Sequence, residues 1–186
     1  MNEADTRLVE RLRAGHEDAY REFVDTYKDR LLAVVARVSG HSADAEDLAQ
    51  ETFLKAFGAI DRFAGNSALY TWLYRIGVNT ARDFLAARRR RPAVSLDALE
   101  PGSFDPPDPG QSPLQHLERD ELVARVRGAM ERLPEPFRTT LSLRETHGHT
   151  YEEVAEILEV SIGTVESRLF RARSKLRALL LAEGGV

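Results

Sequence analysis

A proline-rich stretch divides the chain and limits what it can fold into. Six prolines lie between Pro92 and Pro113, together with Gly102, Gly110 and four acidic residues, and the stretch has no lysine or arginine. Such a composition cannot bury an apolar core and favours an extended segment. We therefore predict two domains, residues 1–91 and 114–186, connected by an acidic linker of residues 92–113.

Both domains show the apolar spacing of amphipathic helices. In the first, this spacing predicts helices over about residues 5–14, 17–39, 43–60 and from 68 onward. In the second, it predicts helices over about 117–133, 135–147, 150–158 and from 161 onward, with a capping box at Thr150 and Ser161 as the last N-cap. Two helices across a short turn, the second one basic, form the helix-turn-helix pattern. The predicted fold is all-α, an N-terminal helical bundle followed by a helix-turn-helix domain.

The composition excludes several classes of protein. The chain of 186 residues has no cysteine, which rules out disulfides and thiolate zinc sites, and no apolar run approaches the roughly 20 residues that span a bilayer. Its first residues do not resemble a signal peptide, so we expect a cytoplasmic protein without membrane insertion. Nucleotide-binding glycine loops and zinc-protease motifs are absent from the sequence, and we expect no enzymatic activity, cofactor or metal. The pair His147 and His149 has no third ligand nearby in the sequence.

The charges are segregated along the chain. The net charge of −4 by itself disfavours binding to nucleic acid. Yet six arginines against one acid lie between Arg75 and Arg91, and five basic residues against Glu166 lie between Ser161 and Arg177. Because a polyanion responds to the local field, both basic segments are candidate nucleic-acid interfaces.

The first basic segment, residues 63–91, combines a turn with a long helix that is apolar on two sides. Such a helix is usually wedged between neighbours, so its aromatic residues, taken singly, indicate a core, and its terminal arginines indicate a solvated helix end. A polar stripe at three- and four-residue steps accompanies them. Taken together, the aromatic residues, the arginines and the stripe indicate a surface that binds a nucleic-acid strand. The candidate contacts are Phe63, Gly65, Asn66 and Ser67 in the turn, Thr71, Arg75, Asn79 and Arg82 in the stripe, and the block of Arg88, Arg89, Arg90 and Arg91.

The second basic segment is the last helix. Val165, Leu169, Ala172 and Leu176 fall on one side, which we predict to face the core. The opposite side carries small residues and Phe170, a combination that lets a helix enter the major groove with the ring against thymine methyl groups. An exposed phenylalanine also fits a protein interface, but the flanking cations favour DNA. The candidate contacts are Ser161, Gly163, Thr164, Glu166, Ser167, Arg168, Phe170, Arg171, Arg173 and Lys175.

Two long runs carry a resemblance to a known family. FAGNSALYTWLYRIGVNTARD from Phe63 is similar to the promoter-melting segment of extracytoplasmic-function sigma factors of bacterial RNA polymerase, and VSIGTVESRLFRAR from Val160 is similar to their second DNA-binding domain. The resemblance implies that the first run reads the −10 promoter element as an unpaired strand, with a pocket for a flipped base. It implies that the second run reads the −35 element. Glu166 stands where relatives vary, and a carboxylate there favours a cytosine amino group.

The resemblance also implies partners for the other segments. Without the resemblance, the acidic side of the helix over 43–60 indicates a solvent-exposed face with a Glu51–Lys55 ion pair. Because DLAQETF from Asp47 resembles the family's polymerase-docking helix, contacts with the largest-subunit clamp are implied for Asp47, Leu48, Gln50, Glu51 and Leu54. The implied partners are core RNA polymerase, through its clamp and flap region, promoter DNA and an anti-sigma factor. The acidic linker would run through the RNA-exit path of the polymerase.

Two other classes of function remain open at this point. A stand-alone helix-turn-helix repressor or response regulator would bind its promoter without polymerase, usually as a dimer on a palindrome, and would leave the first domain unexplained. An interaction protein would use only the acidic helix for docking. Run-off transcription with core polymerase, with and without the chain, separates all three.

Overall fold

The computed structural model describes residues 2–40, 43–90 and 113–182, the side chains of 113–120 excepted, and every regular element in those ranges is helical. This confirms the all-α prediction. The elements are α1 Glu3–Arg13, α2 Glu17–Ser39, α3 Ala45–Ala59, a short 3-10 turn Ile60–Arg62, α4 Leu69–Arg90, α5 Pro113–Glu131, α6 Glu135–Glu145, α7 Tyr151–Leu158 and α8 Ile162–Ala182. The predicted linker lies outside the described residues except for Pro113, where α5 begins.

The first domain is a bundle in which α2, α3 and α4 pack against one another, with α1 along α2. Its centre holds an aromatic cluster in which Phe23 of α2 meets Phe53 edge-on, with ring centroids 5.7 Å apart. Phe23 also meets Phe57, and Tyr20 meets Phe57 at 4.8 Å. Edge-to-face contacts of this kind add to the burial energy of the rings.

Gly77 lets α4 approach α2 closely. A Cβ atom at this position would lie 2.8 Å from Cδ1 of Leu31 and 3.3 Å from Cγ1 of Val35. Both of those side chains are fully buried, so neither has free space to move into. The missing side chain therefore sets the distance between the two longest helices of this domain.

The second domain is built by α5, α6, α7 and α8. The predicted capping box is present, because the backbone N–H of Glu153 donates to Thr150 and that of Thr150 donates to Glu153. Glu159 ends α7 in the left-handed conformation with φ 55°, and the N–H of Thr164 donates to the Ser161 hydroxyl 3.2 Å away. The turn and the cap predicted from the sequence are therefore confirmed, and they place α7 and α8 as a helix-turn-helix.

The two domains pack against each other, with α7 on α4 and α6 on α2. Arg138 of α6 makes the polar contacts between α6 and α2. Its guanidinium donates to the carbonyls of Arg37, at 2.9 Å, and Val38, at 3.3 Å, which end α2. The last carbonyls of a helix have no partner within the helix and carry partial negative charge, so a cation there is stabilising. The sequence did not predict this packing of the domains.

We predict that Gly77→Ala destabilises the protein although alanine is the better helix former. The added methyl group meets Leu31 in a filled core, which costs about 1–3 kcal/mol, against a gain of roughly 1 kcal/mol in helix propensity. Urea denaturation should show a lower free energy of unfolding. Gly58→Ala, whose Cβ would meet nothing within 4 Å, is the matched control and should be neutral or stabilising. Equal effects at the two positions would contradict the role given to Gly77.

Candidate nucleic-acid interface

The turn before α4 is held in place by the first domain. The ring of Phe63 is buried, with 4% exposure, against Trp72 at a centroid distance of 5.0 Å. Arg13 of α1 donates to the Phe63 carbonyl, and Gly65 takes the left-handed conformation with φ 73°. Asn66 is exposed and Ser67 is half-buried. Of the four predicted turn contacts, Phe63 therefore lies where its ring supports the turn, while Asn66 offers its amide to solvent.

Two members of the polar stripe of α4, Asn79 and Arg82, contact the second domain. Nδ2 of Asn79 lies 3.4 Å from Oε2 of Glu159, and Nε of Arg82 lies 3.3 Å from Oε1 of Glu135. Thr71 is 1% exposed and its hydroxyl has no hydrogen-bond partner in the structure. Arg75 is half-buried. Of the four residues, Thr71 is therefore buried, and Arg75, Asn79 and Arg82 are partly exposed.

The arginine block at the end of α4 is exposed. Arg88 lies 3.3 Å from a carboxylate oxygen of Asp44, and Nε of Arg90 donates to the Ala86 carbonyl. Arg89 is exposed, and Arg91 lies outside the described residues. The described part of the block is thus an exposed cationic helix end whose long side chains can contact phosphates.

The outer face of α8 has the predicted composition and exposure. Val165, Leu169 and Ala172 are buried, and Phe170 on the other side is 74% exposed. Around it the exposed positions are Ser161, Gly163, Glu166, Ser167, Arg171, Arg173 and Lys175, while Thr164 and Arg168 are half-buried. Most hydroxyls of this face are satisfied within the helix, since Ser167 donates to the Thr164 carbonyl and Ser174 to that of Phe170.

The basic side chains of α8 differ in their exposure and in their partners. Arg173 forms an ion pair of 2.6 Å with Glu145 of α6. One terminal nitrogen of Arg168 is buried without a hydrogen-bond partner in the structure. Arg171 and Lys175 are exposed. Exposed ion pairs exchange readily with water, so the Glu145 pair leaves Arg173 able to turn towards a phosphate.

On α3, four of the five predicted polymerase contacts are exposed. Asp47, Gln50 and Glu51 are exposed, and Leu54 is 70% exposed. Leu48 is 3% exposed and packs inside the bundle. Glu51 pairs with Lys55 at 2.7 Å, as predicted, and Lys55 also donates to Thr80 of α4. Beside this face, α2 and α3 line a groove of about 240 Å³ that includes Lys28 and Gln50.

His149 is a central residue of the domain contact, although the sequence analysis considered it only as a possible metal ligand. Its ring stacks on Tyr70 at 5.5 Å and meets Tyr74 edge-on at 5.4 Å. Burial lowers the pKa of His149, and burial together with His149 lowers the pKa of His147 to about 4, so both rings are neutral at pH 7. The described residues contain no group of three or more His, Cys, Asp or Glu side chains that could hold a metal.

Within the described ranges, no helix combines the length and apolar character that crossing a membrane requires.

Comparison with known proteins assigns both domains. Residues 23–91 match the family described as Sigma-70 region 2, and residues 124–176 match Sigma-70, region 4. The chain is 42% identical over 178 residues to the RNA polymerase sigma-H factor of Pseudomonas aeruginosa, covering 94% of this chain and 92% of that one. It is also 42% identical over 176 residues to the ECF RNA polymerase sigma-E factor of Escherichia coli K12, covering 92% of each.

Two solved structures share the fold. CnrH in complex with the cytosolic domain of CnrY matches with a TM-score of 0.69 and 31% identity, over 98% of this chain and 100% of that one. The sigma factor RpoE of Bartonella quintana, in complex with the anti-sigma factor NepR, matches with a TM-score of 0.67 and 27% identity, over 87% and 96%. These matches extend over both domains. The chain belongs to the extracytoplasmic-function sigma factors, which direct bacterial RNA polymerase to specific promoters.

Proposed function

We propose that this sigma factor reads the −35 element of its promoters with α8 in the major groove, and the −10 element as an unpaired strand with the turn of residues 63–67 and the stripe of α4. The observation that carries the proposal is the outer face of α8, where Phe170 is 74% exposed among serines, a glycine and arginines. An aromatic side chain that is excluded from the core and surrounded by cations suits DNA better than solvent.

The shape and charge of α8 support major-groove docking. Gly163 and Ser167 are small, so the first turns of the helix can approach base edges closely. Glu166 is exposed on the same side and accepts hydrogen bonds, which favours a cytosine amino group. Arg171 and Lys175 lie further along the helix, where they can neutralise phosphates.

For the −10 element, the fixed turn and the cationic helix have complementary roles. In this proposal Asn66 and the backbone at Gly65 hydrogen-bond an extruded base, and the contacts of Phe63 and Arg13 support the turn. Asn79 adds a second amide, and Arg75, Arg82 and the Arg88–Arg90 block supply positive charge for the strand's phosphates. Bases without a partner in the duplex can be read on their edges in this way.

Docking on core polymerase is assigned to the exposed side of α3. Asp47, Gln50 and Glu51 surround Leu54, and an exposed leucine within a polar rim is the usual composition of a protein interface. Leu48 supports this surface from inside the bundle. The acidic character of the face suits a basic partner surface.

Control by an anti-sigma factor is proposed from a second exposed apolar region. Leu122 and Val123 of α5 are 54% and 41% exposed beside a groove of about 540 Å³. Apolar side chains such as Val126, Met130 and Leu176 line it together with charged ones, Arg37, Arg127, Glu145 and Arg173. Such a groove suits the apolar face of a partner helix. Two of the proteins that share this fold were solved in complex with partners, one of them named as an anti-sigma factor.

Phe170→Ala should weaken promoter binding by the holoenzyme about tenfold, since burying part of a phenylalanine is worth on the order of 1–2 kcal/mol. Because Phe170 is exposed, the free energy of unfolding should not change. Footprinting of the upstream element measures the effect. Leu181→Ala, at a 54% exposed leucine near the end of the same helix, is the control and should bind as the unaltered protein does. Full retention of upstream binding by Phe170→Ala would refute the assignment.

Asn79→Ala should impair open-complex formation more than core binding, because the amide is assigned to the unpaired strand and not to the polymerase. Permanganate reactivity of unpaired thymines measures opening, and co-elution with core polymerase measures binding. Thr26→Ala, at an exposed polar residue of α2, should change neither. Equal losses of opening and core binding would show that Asn79 is misassigned.

Leu54→Ala should reduce affinity for core polymerase about fivefold, because the side chain would lose the apolar area that it buries on binding. The side chain is 70% exposed, so the fold should be unaffected. Titration of labelled core polymerase gives the affinity, with Leu181→Ala again as the control. Core affinity equal to that of the unaltered chain would remove Leu54 from the interface.

A further inference from the structure

The turn of residues 63–67, here called the −10 turn, lies between the 3-10 turn and α4 and is not itself helical. Its first residue, Phe63, packs its ring against Trp72, and Gly65 takes the left-handed conformation with φ 73°. Asn66, whose amide is assigned to an extruded base, is exposed. A loop reads a base by hydrogen bonds only if its backbone keeps one shape, because a displacement of about 1 Å makes such a site too loose. The contacts that fix the backbone before the −10 turn therefore bear on how well it selects a base.

Arg13 of α1 binds the backbone at both ends of the 3-10 turn. Its Nε atom lies 3.3 Å from the carbonyl oxygen of Ile60, where the 3-10 turn begins, and a terminal nitrogen donates to the carbonyl of Phe63, which follows it. The backbone N–H of Phe63 donates to the same Ile60 carbonyl at 3.2 Å. A guanidinium is planar and its donors point in fixed directions. One side chain thus fixes two carbonyls relative to each other and sets the direction in which the chain enters the −10 turn.

The end of α1 that carries Arg13 is itself fixed against the bundle. Leu12, the preceding residue, is 1% exposed. Arg11 forms ion pairs with Asp18 at 2.5 Å and with Glu22 at 2.6 Å, both in the first turns of α2. Exposed ion pairs contribute little energy, so the buried leucine is the main anchor and the ion pairs add orientation. The guanidinium of Arg13 therefore extends from a fixed point towards the −10 turn.

The family match does not include α1, because the range matched as Sigma-70 region 2 begins at residue 23. We propose that Arg13 is a positioning residue for −10 recognition. It holds the −10 turn in the shape in which Asn66 reads the extruded base, and it does so without contacting the strand. Helix α1 is then part of the structure that selects the −10 sequence. This inference rests on the proposed function, because it takes the −10 turn to be the segment that reads the base.

A phosphate contact is the alternative role for Arg13, since the residue is exposed overall. The two roles have different consequences for binding. Phosphate contacts contribute affinity without sequence information, whereas contacts with base edges contribute selectivity. Loss of a phosphate contact reduces the slope of affinity against salt concentration, on logarithmic axes, by about one. Loss of a positioning residue lowers the selectivity between bases and leaves that slope unchanged.

The test uses holoenzyme assembled from core polymerase and the full chain. Arg13→Ala removes the hold on the two carbonyls. Arg7→Ala is the matched control, because Arg7 is an exposed arginine of the same helix that pairs with Glu3 of α1 at 3.9 Å. A pool of single-stranded oligonucleotides of randomised sequence identifies the preferred strand and the position at which base identity matters most. Fluorescence anisotropy with that strand and its single-base variants then gives the selectivity, as a ratio of dissociation constants, and its dependence on salt.

Arg13→Ala should lower the selectivity ratio about fivefold, near the lower end of the discrimination that a well-placed pair of hydrogen bonds to a base provides. The salt dependence should not change. Arg7→Ala should change neither quantity. Arg13→Lys keeps the charge but lacks the planar fork of donors, so it should restore only part of the selectivity. Circular dichroism should show the same helix content in every variant, because both arginines are exposed.

Unchanged selectivity in Arg13→Ala would overturn the proposal. A smaller salt dependence with unchanged selectivity would overturn it too, because Arg13 would then be a phosphate contact. An equal loss of selectivity in Arg7→Ala would assign the effect to the charge of α1, and full recovery by Arg13→Lys would contradict the hold on two carbonyls.

Asn66→Ala separates failure of this inference from failure of the −10 assignment. If Asn66→Ala lowers the selectivity and Arg13→Ala does not, the −10 turn reads the base and only the positioning role of Arg13 is wrong. If neither substitution lowers the selectivity, the −10 turn is not the segment that reads the base, and both proposals fail.

Discussion

The burial of α4 on two sides is the constraint on which the rest of the structure depends. One side presses against α2, with the missing side chain of Gly77 allowing the approach to Leu31 and Val35. The other side presents Tyr70 and Tyr74 to α7 and His149 of the second domain. Rings of this size bury large apolar areas, so leaving them in water would be costly. The same helix therefore organises the first bundle and provides the surface on which the two domains meet.

The distribution of charge over the surface follows from this arrangement. A net charge of −4 is compatible with promoter binding because the charges are segregated. Glu135 and Glu159 lie against the polar stripe of α4, while cations of α8 and the end of α4 face outward. Local potential governs where a polyanion binds, so these two surfaces can bind DNA although the total charge is negative. The outward face of α8 is exposed, whereas the stripe of α4 is partly covered by the second domain.

Some residues of the predicted sites have buried side chains, which support the backbone of the site and are not exposed to a partner. Phe63 and Leu48 lie within predicted contact segments, yet both side chains are buried, at 4% and 3% exposure. A helical or turn motif mixes residues that face a partner with residues that hold the backbone, and spacing alone separates them poorly when the helix is covered on more than one side. By contrast, α8 is covered on one side only, and there the spacing correctly distinguished Leu169, which is buried, from Phe170, which is exposed.

The sequence by itself determined the helices, their caps, the helix-turn-helix and the family, because these depend on local spacing, on capping chemistry such as Thr150 with Glu153, and on long motif matches. Only the tertiary structure decided how the two domains meet. Arg138 reaches the carbonyls of Arg37 and Val38 across about a hundred positions of chain, and His149 fits between two tyrosines of α4. Such contacts depend on the three-dimensional placement of helix ends and rings, and no periodic pattern along the chain encodes it.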